Sequence, residues 1–256
     1  MNTVTEQSQI ALHFDRRASG YAEKYCVREP RHLFELEKQQ RLSWTLKWIQ
    51  RHTQGRVSGK ILDVGCGNGQ LICNVLEDKP GWHALGIDLS AGMIEQASRT
   101  ARDHRSQWSV CSATQVTDQF DVVTSLGVVG YQVDQMAFVR SVADRVVPGG
   151  MLILSFGNQR SVLRKMRCTV QKTRRMFSRD GNDVRFRSVS IVELNSQLRS
   201  VGFRQTDCRW LGFGLGVARG GRLEARLSRM LERSCSQPPF SQWFAQVGLA
   251  AFQRAE

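Results

Sequence analysis

Residues 59–71, GKILDVGCGNGQL, constrain the fold of this chain more than any other stretch. A short apolar run, Ile61-Leu62-Asp63-Val64, feeds a loop carrying Gly65, Gly67 and Gly69. Read as strand, glycine loop and helix, this is a nucleotide-type ligand site. Glycines let the backbone turn sharply and approach a ligand with no Cβ in the way. The helix that follows offers unpaired N–H groups at its start. The glycines fall at G-x-G-x-G, whereas dinucleotide enzymes use G-x-G-x-x-G. Asp63 places a carboxylate at the strand end, just before the loop. It repels a pyrophosphate and attracts a cationic amino-acid tail.

A second element stands at the matching distance. Ala84-Leu85-Gly86-Ile87-Asp88 reads as a strand ending in a carboxylate 19 residues after Gly69. A carboxylate there can accept both hydroxyl protons of a ribose. Ser90 reads as the cap of a helix that runs through Met93, Ile94 and Ala97. Alternating α and β patterns continue. A helix is expected over 32–52, and strands near 60–64, 84–88, 107–111, 120–125 and 150–156. A helix from Asp134 to Val147, a helix near 190–200, a strand near 204–210 and a last strand near 246–252 complete the reading.

Together these motifs resemble the seven-stranded, class I S-adenosylmethionine-dependent methyltransferases. The first strand and loop meet the family pattern [VIL]-[LV]-[DE]-[LV]-G-x-G-x-G at each position. Gly86, Ile87, Asp88, Ser90, Met93, Ile94 and Ala97 match its second motif, Phe120-Asp121-Val122-Val123 its fourth strand, and Pro148-Gly149-Gly150 its turn into the fifth. The resemblance spans about 60–254. It implies a three-layer α/β/α sandwich on a mostly parallel seven-stranded sheet, closed by a β-hairpin whose last strand is antiparallel. An N-terminal helical lid is expected over 1–52, with the cofactor domain over 53–256. The cofactor implied is S-adenosyl-L-methionine, held by Asp63, Gly65, Cys66, Gly67, Asp88, Leu89, Met93, Ser112, Ala113 and Leu126. One position departs from the family: Ser112 stands where an acidic residue usually meets the adenine, so a hydroxyl replaces a charge there.

The segment His13-Phe14-Asp15-Arg16-Arg17-Ala18-Ser19-Gly20-Tyr21-Ala22-Glu23-Lys24-Tyr25 resembles the F-D-x-x-A-x-x-Y entry of small-molecule methyltransferases. Phe14, Ala18, Tyr21 and Tyr25 repeat at helical spacing. The stripe is either a lid that excludes water or a face that merely packs on the sheet. A sulfonium carries its own leaving group, so the protein's task is alignment. A general base is needed only if the acceptor carries a proton. The candidates are His13, Tyr21, Tyr25, His32 and Tyr131, the last in the loop after the fourth strand. Tyr131 reads equally as a loop aromatic that packs. No His/Asp pairing in the sequence singles out a base.

The composition bounds the rest. A chain of 256 residues can bury the core of one α/β domain with an appendage. No run of about 18 apolar residues marks a membrane span, and MNTVTEQSQIALHF lacks the pattern of a secretory signal. Seven cysteines form no CxxC pair, so neither a disulfide framework nor a metal site is expected and a cytoplasmic setting is. The net charge is +13, and residues 160–187 hold ten Lys/Arg against two Asp. This basic insert has three readings: a solvated face, a recognition surface for an anionic small molecule, carrier protein or lipid headgroup with peripheral membrane contact, or an RNA-binding surface. No N-P-P-[YF] motif of nucleic-acid amino methylation follows the fourth strand, which makes a nucleic-acid partner the weaker expectation. The oligomeric state is not legible.

The reading as a whole is methyl transfer to O, N or C of a small molecule in specialised-metabolite, quinone or isoprenoid-type biosynthesis. The alternatives are an RNA or protein methyltransferase and a cofactor-binding relative that does not methylate.

Overall fold

The computed structural model describes residues 3–18, 32–101, 103–176, 186–214, 221–234 and 240–256. Two helices, α1 (Thr3–Asp15) and α2 (Leu33–His52), precede the sheet. Strands and helices then alternate: β1 (Gly59–Val64), α3 (Gln70–Asp78), β2 (Trp82–Asp88), α4 (Ala91–Thr100), β3 (Ser106–Val110), β4 (Phe120–Ser125), α5 (Gln135–Ala143) and β5 (Val146–Asn158). The remainder is α6 (Val162–Met176), β6 (Ser188–Val189), α7 (Ile191–Arg199), β7 (Phe203–Leu211), α8 (Gly221–Ser234), α9 (Phe240–Phe244) and β8 (Val247–Arg254). The long strands lie in the order β3-β2-β1-β4-β5-β8-β7. Pairings from β3 to β5 are parallel, and β8 runs antiparallel to both its neighbours.

Strand alternation explains the three layers. Ile61, Val122, Met151, Ile153, Leu249 and Ala251 bury on one face, against Trp48 and Ile49 of α2 and Leu71, Ile72, Val75 and Leu76 of α3. Their sequence neighbours Leu62, Val123, Leu152, Leu154, Ala250 and Phe252 bury on the other, with Val139 and Val142 of α5 and Leu194 and Leu198 of α7. A strand's side chains point alternately to opposite faces, so continuous apolar runs mark strands covered on both sides. Chain order reverses at β1, which pairs with β2 on one side and β4 on the other. A crevice therefore opens beyond its C-terminal end, where open α/β sheets hold ligands.

Four features depart from the sequence reading. An eighth, two-residue strand, β6, pairs with the end of β5 through Gly157 and Asn158. The helix expected to reach Val147 stops at Ala143. Val146 is already paired to Phe120, and a register shift between Phe120 and Val122 absorbs the Pro148-Gly149-Gly150 turn within β5. No tight hairpin joins β7 to β8: they pair side by side, but α8 and α9 lie between them in the chain. Finally, α2 buries Trp48 and Ile49 in the sandwich core, so the second half of the expected lid is a structural layer.

Candidate active site

The glycine loop folds back on the end of β2. Gly65 and Cys66 N–H groups donate to the Ile87 carbonyl at 2.7 and 3.0 Å. Gly65, Gly67 and Gly69 have φ of 74, 53 and 77°, a left-handed run that side chains resist. A Cβ on Gly65 would also sit 2.1 Å from Val128 Cγ2. The loop is thus pinned between β2 and the segment after β4, and Gly69 opens α3.

Two carboxylates flank it. Asp63 is 4% exposed, and its Oδ1 accepts from Thr124 Oγ1 at 2.7 Å. Burial pushes its carboxyl up to about 7, opposed by the Thr124 hydrogen bond, helped by the Asp88 charge and opposed by Arg41. Asp88 accepts from Gly67 N–H at 3.0 Å and from Ser90 N–H at 2.9 Å. Its pKa is raised by burial and by Asp15, while the N–H groups of Ser90, Gly67 and Leu89 hold the rise back. A carboxylate has about four acceptor sites, so Asp88 keeps capacity for a diol. The Cys66 side chain is buried and its thiol is pushed well above its ordinary value, which makes it a packing residue.

A cavity of about 340 Å³ lies beyond these strand ends, lined in part by Gly65, Gly67, Asp88, Leu89, Met93, Ser112, Ala113 and Leu126. Eight of the ten residues expected at the cofactor are therefore wall residues, and Asp63 and Cys66 lie just behind the wall. Ser112 spends its polar groups on a local capping box: its hydroxyl lies 2.8 Å from Thr114 Oγ1 and 3.1 Å from Gln115 Oε1. The set fits S-adenosylmethionine, with a buried carboxylate for an ammonium, a second for a ribose diol, and a slot between Leu89, Met93 and Ala113 for a flat base. Ionised Asp63, beside the loop, would repel the pyrophosphate of a dinucleotide.

Helix α1 covers one side. Gln7, Ile10, Ala11 and Phe14 line the cavity at helical spacing, a stripe that begins about two turns before the Phe14 at which the expected one started. Asp15 Oδ1 accepts from Ser90 Oγ at 2.5 Å and from Gly92 N–H at 3.0 Å, fastening α1 to the start of α4. His13 packs its ring edge-on to Phe14 and lies outside the cavity lining, its pKa lowered by partial burial and then by Arg17 and Arg16. His32 is exposed ahead of α2. Tyr21 and Tyr25 fall outside the described residues.

The opposite side is aromatic and basic. Tyr131 lines the cavity, edge-on to Phe14 at 5.3 Å and to Phe186 at 4.8 Å. Arg164 lies 4.7 Å above the Phe186 ring and donates from Nε to Ser188 Oγ at 2.7 Å. Two further polar groups escaped the sequence reading. Ser155 Oγ accepts from Gly127 N–H at 2.7 Å and from Arg41 at 3.3 Å, and Arg41 faces Glu37 at 3.6 Å. An arginine in mid-helix and a serine in a strand carry no local signature; only the fold brings them to the site.

Residues 62–152 match the family model described as a methyltransferase domain. The ubiquinone biosynthesis O-methyltransferase of Idiomarina loihiensis is 32% identical over 124 residues, 44% of this chain and 49% of that protein. Its counterpart in Leptothrix cholodnii is 31% identical over 122 residues, 44% and 51% of the two chains. The chain thus spans about half the length of the curated relatives it matches. Among solved structures, magnesium protoporphyrin IX methyltransferase from Synechocystis PCC 6803 with bound SAH superposes with a TM-score of 0.70 at 16% identity, over 98% of this chain and 100% of that one. The [4+2]-cyclase SpnF superposes with a TM-score of 0.63 at 16% identity, over 97% and 96%. Residues 62–152 thus carry a methyltransferase-domain match, and the chain as a whole shares the Rossmann-like fold of the superposed S-adenosylhomocysteine-bound methyltransferase.

Proposed function

We propose that this protein transfers a methyl group from S-adenosylmethionine to a small-molecule acceptor of the quinone, isoprenoid or specialised-metabolite type. The observation that carries the reading is the pair Asp63 and Asp88, on neighbouring strand ends either side of a left-handed glycine loop. When bound, the cofactor supplies a methyl on a sulfonium that is its own leaving group. The chain's residues then have to hold and orient. Asp63 receives an ammonium, Asp88 a diol, and α1 keeps water from the cavity. Tyr131, between Phe14 and Phe186, forms the acceptor wall and is the first candidate to receive an acceptor proton. The ubiquinone biosynthesis O-methyltransferase relatives support a quinone-type acceptor methylated on oxygen.

Arg164 supports an anionic acceptor. It is 4% exposed and makes no ion pair among the described residues. Its pKa is lowered, first by burial and then by Arg167. A buried, unpaired guanidinium is costly, and a carboxylate or phosphate on the acceptor would offset that cost. Incubation with labelled cofactor and a panel of catechols and hydroxybenzoates tests the reading, with methylated product expected from at least one. Arg164→Gln should then raise KM about tenfold for carboxylated acceptors, and far less for neutral ones. Cofactor binding with no methyl transfer to any acceptor class would favour a non-methylating role, of which the cyclase SpnF is an instance on this fold.

A further inference from the structure

Helix α6 has two sides with different work. Arg164 turns inward to Phe186, while Val162, Lys165 and Met166 face solvent, with Met166 51% exposed. The start of α6 is tied to α9: Ser161 Oγ donates to the Phe244 carbonyl at 3.4 Å, and Asn158 Nδ2 donates to the Gln242 and Ala245 carbonyls at 2.7 and 2.8 Å. Helix α9 presents Phe240, Trp243 and Phe244, which are 63, 54 and 39% exposed. Phe240 and Phe244 stack at 6.0 Å with no third ring over them among the described residues. Large apolar side chains on adjacent surface helices mark an interaction face.

The charge around this face selects its partner. Beside α9, which holds no charge at all, Lys165 of α6 is exposed and Arg160, just before α6, is exposed and reaches Gln242, with no Asp or Glu in α6. A second copy of the chain would bring the same cations together, which disfavours a self-interface. Aromatic and aliphatic groups bordered by cations suit the headgroup boundary of an anionic bilayer, where Trp partitions and Lys/Arg meet lipid phosphates.

We propose that the α6–α9 face docks this protein on anionic membranes. The inference does not rest on methyl transfer, because docking needs no turnover. Docking would set the acceptor side of the cavity, through Arg164, Phe186 and Tyr131, beside the lipid surface.

Sedimentation of the full chain with vesicles tests it. The protein should pellet with vesicles of equal parts phosphatidylcholine and phosphatidylglycerol at low salt, and stay in solution with phosphatidylcholine alone. The double variant Phe240→Ser/Trp243→Ser leaves net charge untouched and should lower partitioning at least about tenfold. Lys165→Glu, at an exposed position, should weaken it in the same direction. Circular dichroism and thermal stabilisation by S-adenosylhomocysteine should be unchanged in both. No pelleting with the anionic vesicles overturns the proposal. Equal pelleting of wild type and double variant also does, since only diffuse attraction to a +13 chain would then remain. So does a dimer in light scattering that the double variant dissolves, which would make the face a self-interface.

Discussion

With its carboxyl pushed to about 7 by burial, Asp63 is near the midpoint of its titration in neutral solution. Its ordinary value is 3.8, so between these limits the folded protein holds a proton there that the unfolded chain has lost. The contribution of Asp63 to the stability of the ligand-free protein therefore falls as pH rises through that window. Ligand affinity runs the other way, because an ammonium is received by the ionised form. S-adenosylhomocysteine should bind more weakly as pH drops from about 8 to about 6, with protons released on binding near neutrality. Calorimetry in buffers of different ionisation heat reads this directly, and Asp63→Asn should abolish the buffer dependence. Asp88→Ala should weaken the same ligand by roughly 1.5–3 kcal/mol, the range for charged hydrogen bonds; unchanged affinity would remove Asp88 from the site. Gly86 makes a different demand: a Cβ there would lie 2.3 Å from Trp108 Cζ3. Gly86→Ala should cost about 1–3 kcal/mol in denaturant unfolding. The two acids and the three loop glycines were legible because each sits at a fixed offset from a strand end. Arg41, Ser155 and Arg164 meet the site across long stretches of chain, and no local pattern marks them.

Among the elements, α1 is the one whose role is most open to test. Its inner stripe is apolar and its far end is held by Asp15 at the start of α4. A lid must close without being immovable, and one carboxylate on a helix N-terminus is a fastening of modest strength. Asp15→Ala should lower kcat several-fold while the unfolding temperature moves little, as measured by steady-state kinetics and calorimetry. A normal kcat would reduce α1 to packing. Strands β1, β4 and β5 were readable because buried strands carry apolar runs between turns, whereas β3 is half-exposed and mostly polar. Helix α8 escaped for a physical reason. Its apolar residues Leu223, Leu227, Met230 and Leu231 follow helical spacing, but Leu227 and Met230 are exposed while the small Ala225 and Ser228 are buried, so the stripe is not the core-facing side. The expected antiparallel pairing of the last two strands forms, but it shows nothing of α8 and α9 in the chain between them.

At the scale of the whole molecule, the basic charge is distributed by side. Arg164 turns inward onto Phe186 and Ser188 while Lys165 faces water, so one short sequence serves two surroundings. The sheet adds a constraint of its own. Its last strand in sequence, β8, lies between β5 and β7, paired with both along its length. During synthesis, β5 and β7 leave the ribosome well before their shared neighbour exists. Each must wait with an open edge, a template for pairing with other chains. The central layer closes only when residues 247–254 arrive, so its folding waits on them, and its rate is limited by joining segments about a hundred residues apart. A nascent chain stalled before β8 would present β5 with one open edge and β7 without a strand partner, a form that chaperones would have to hold.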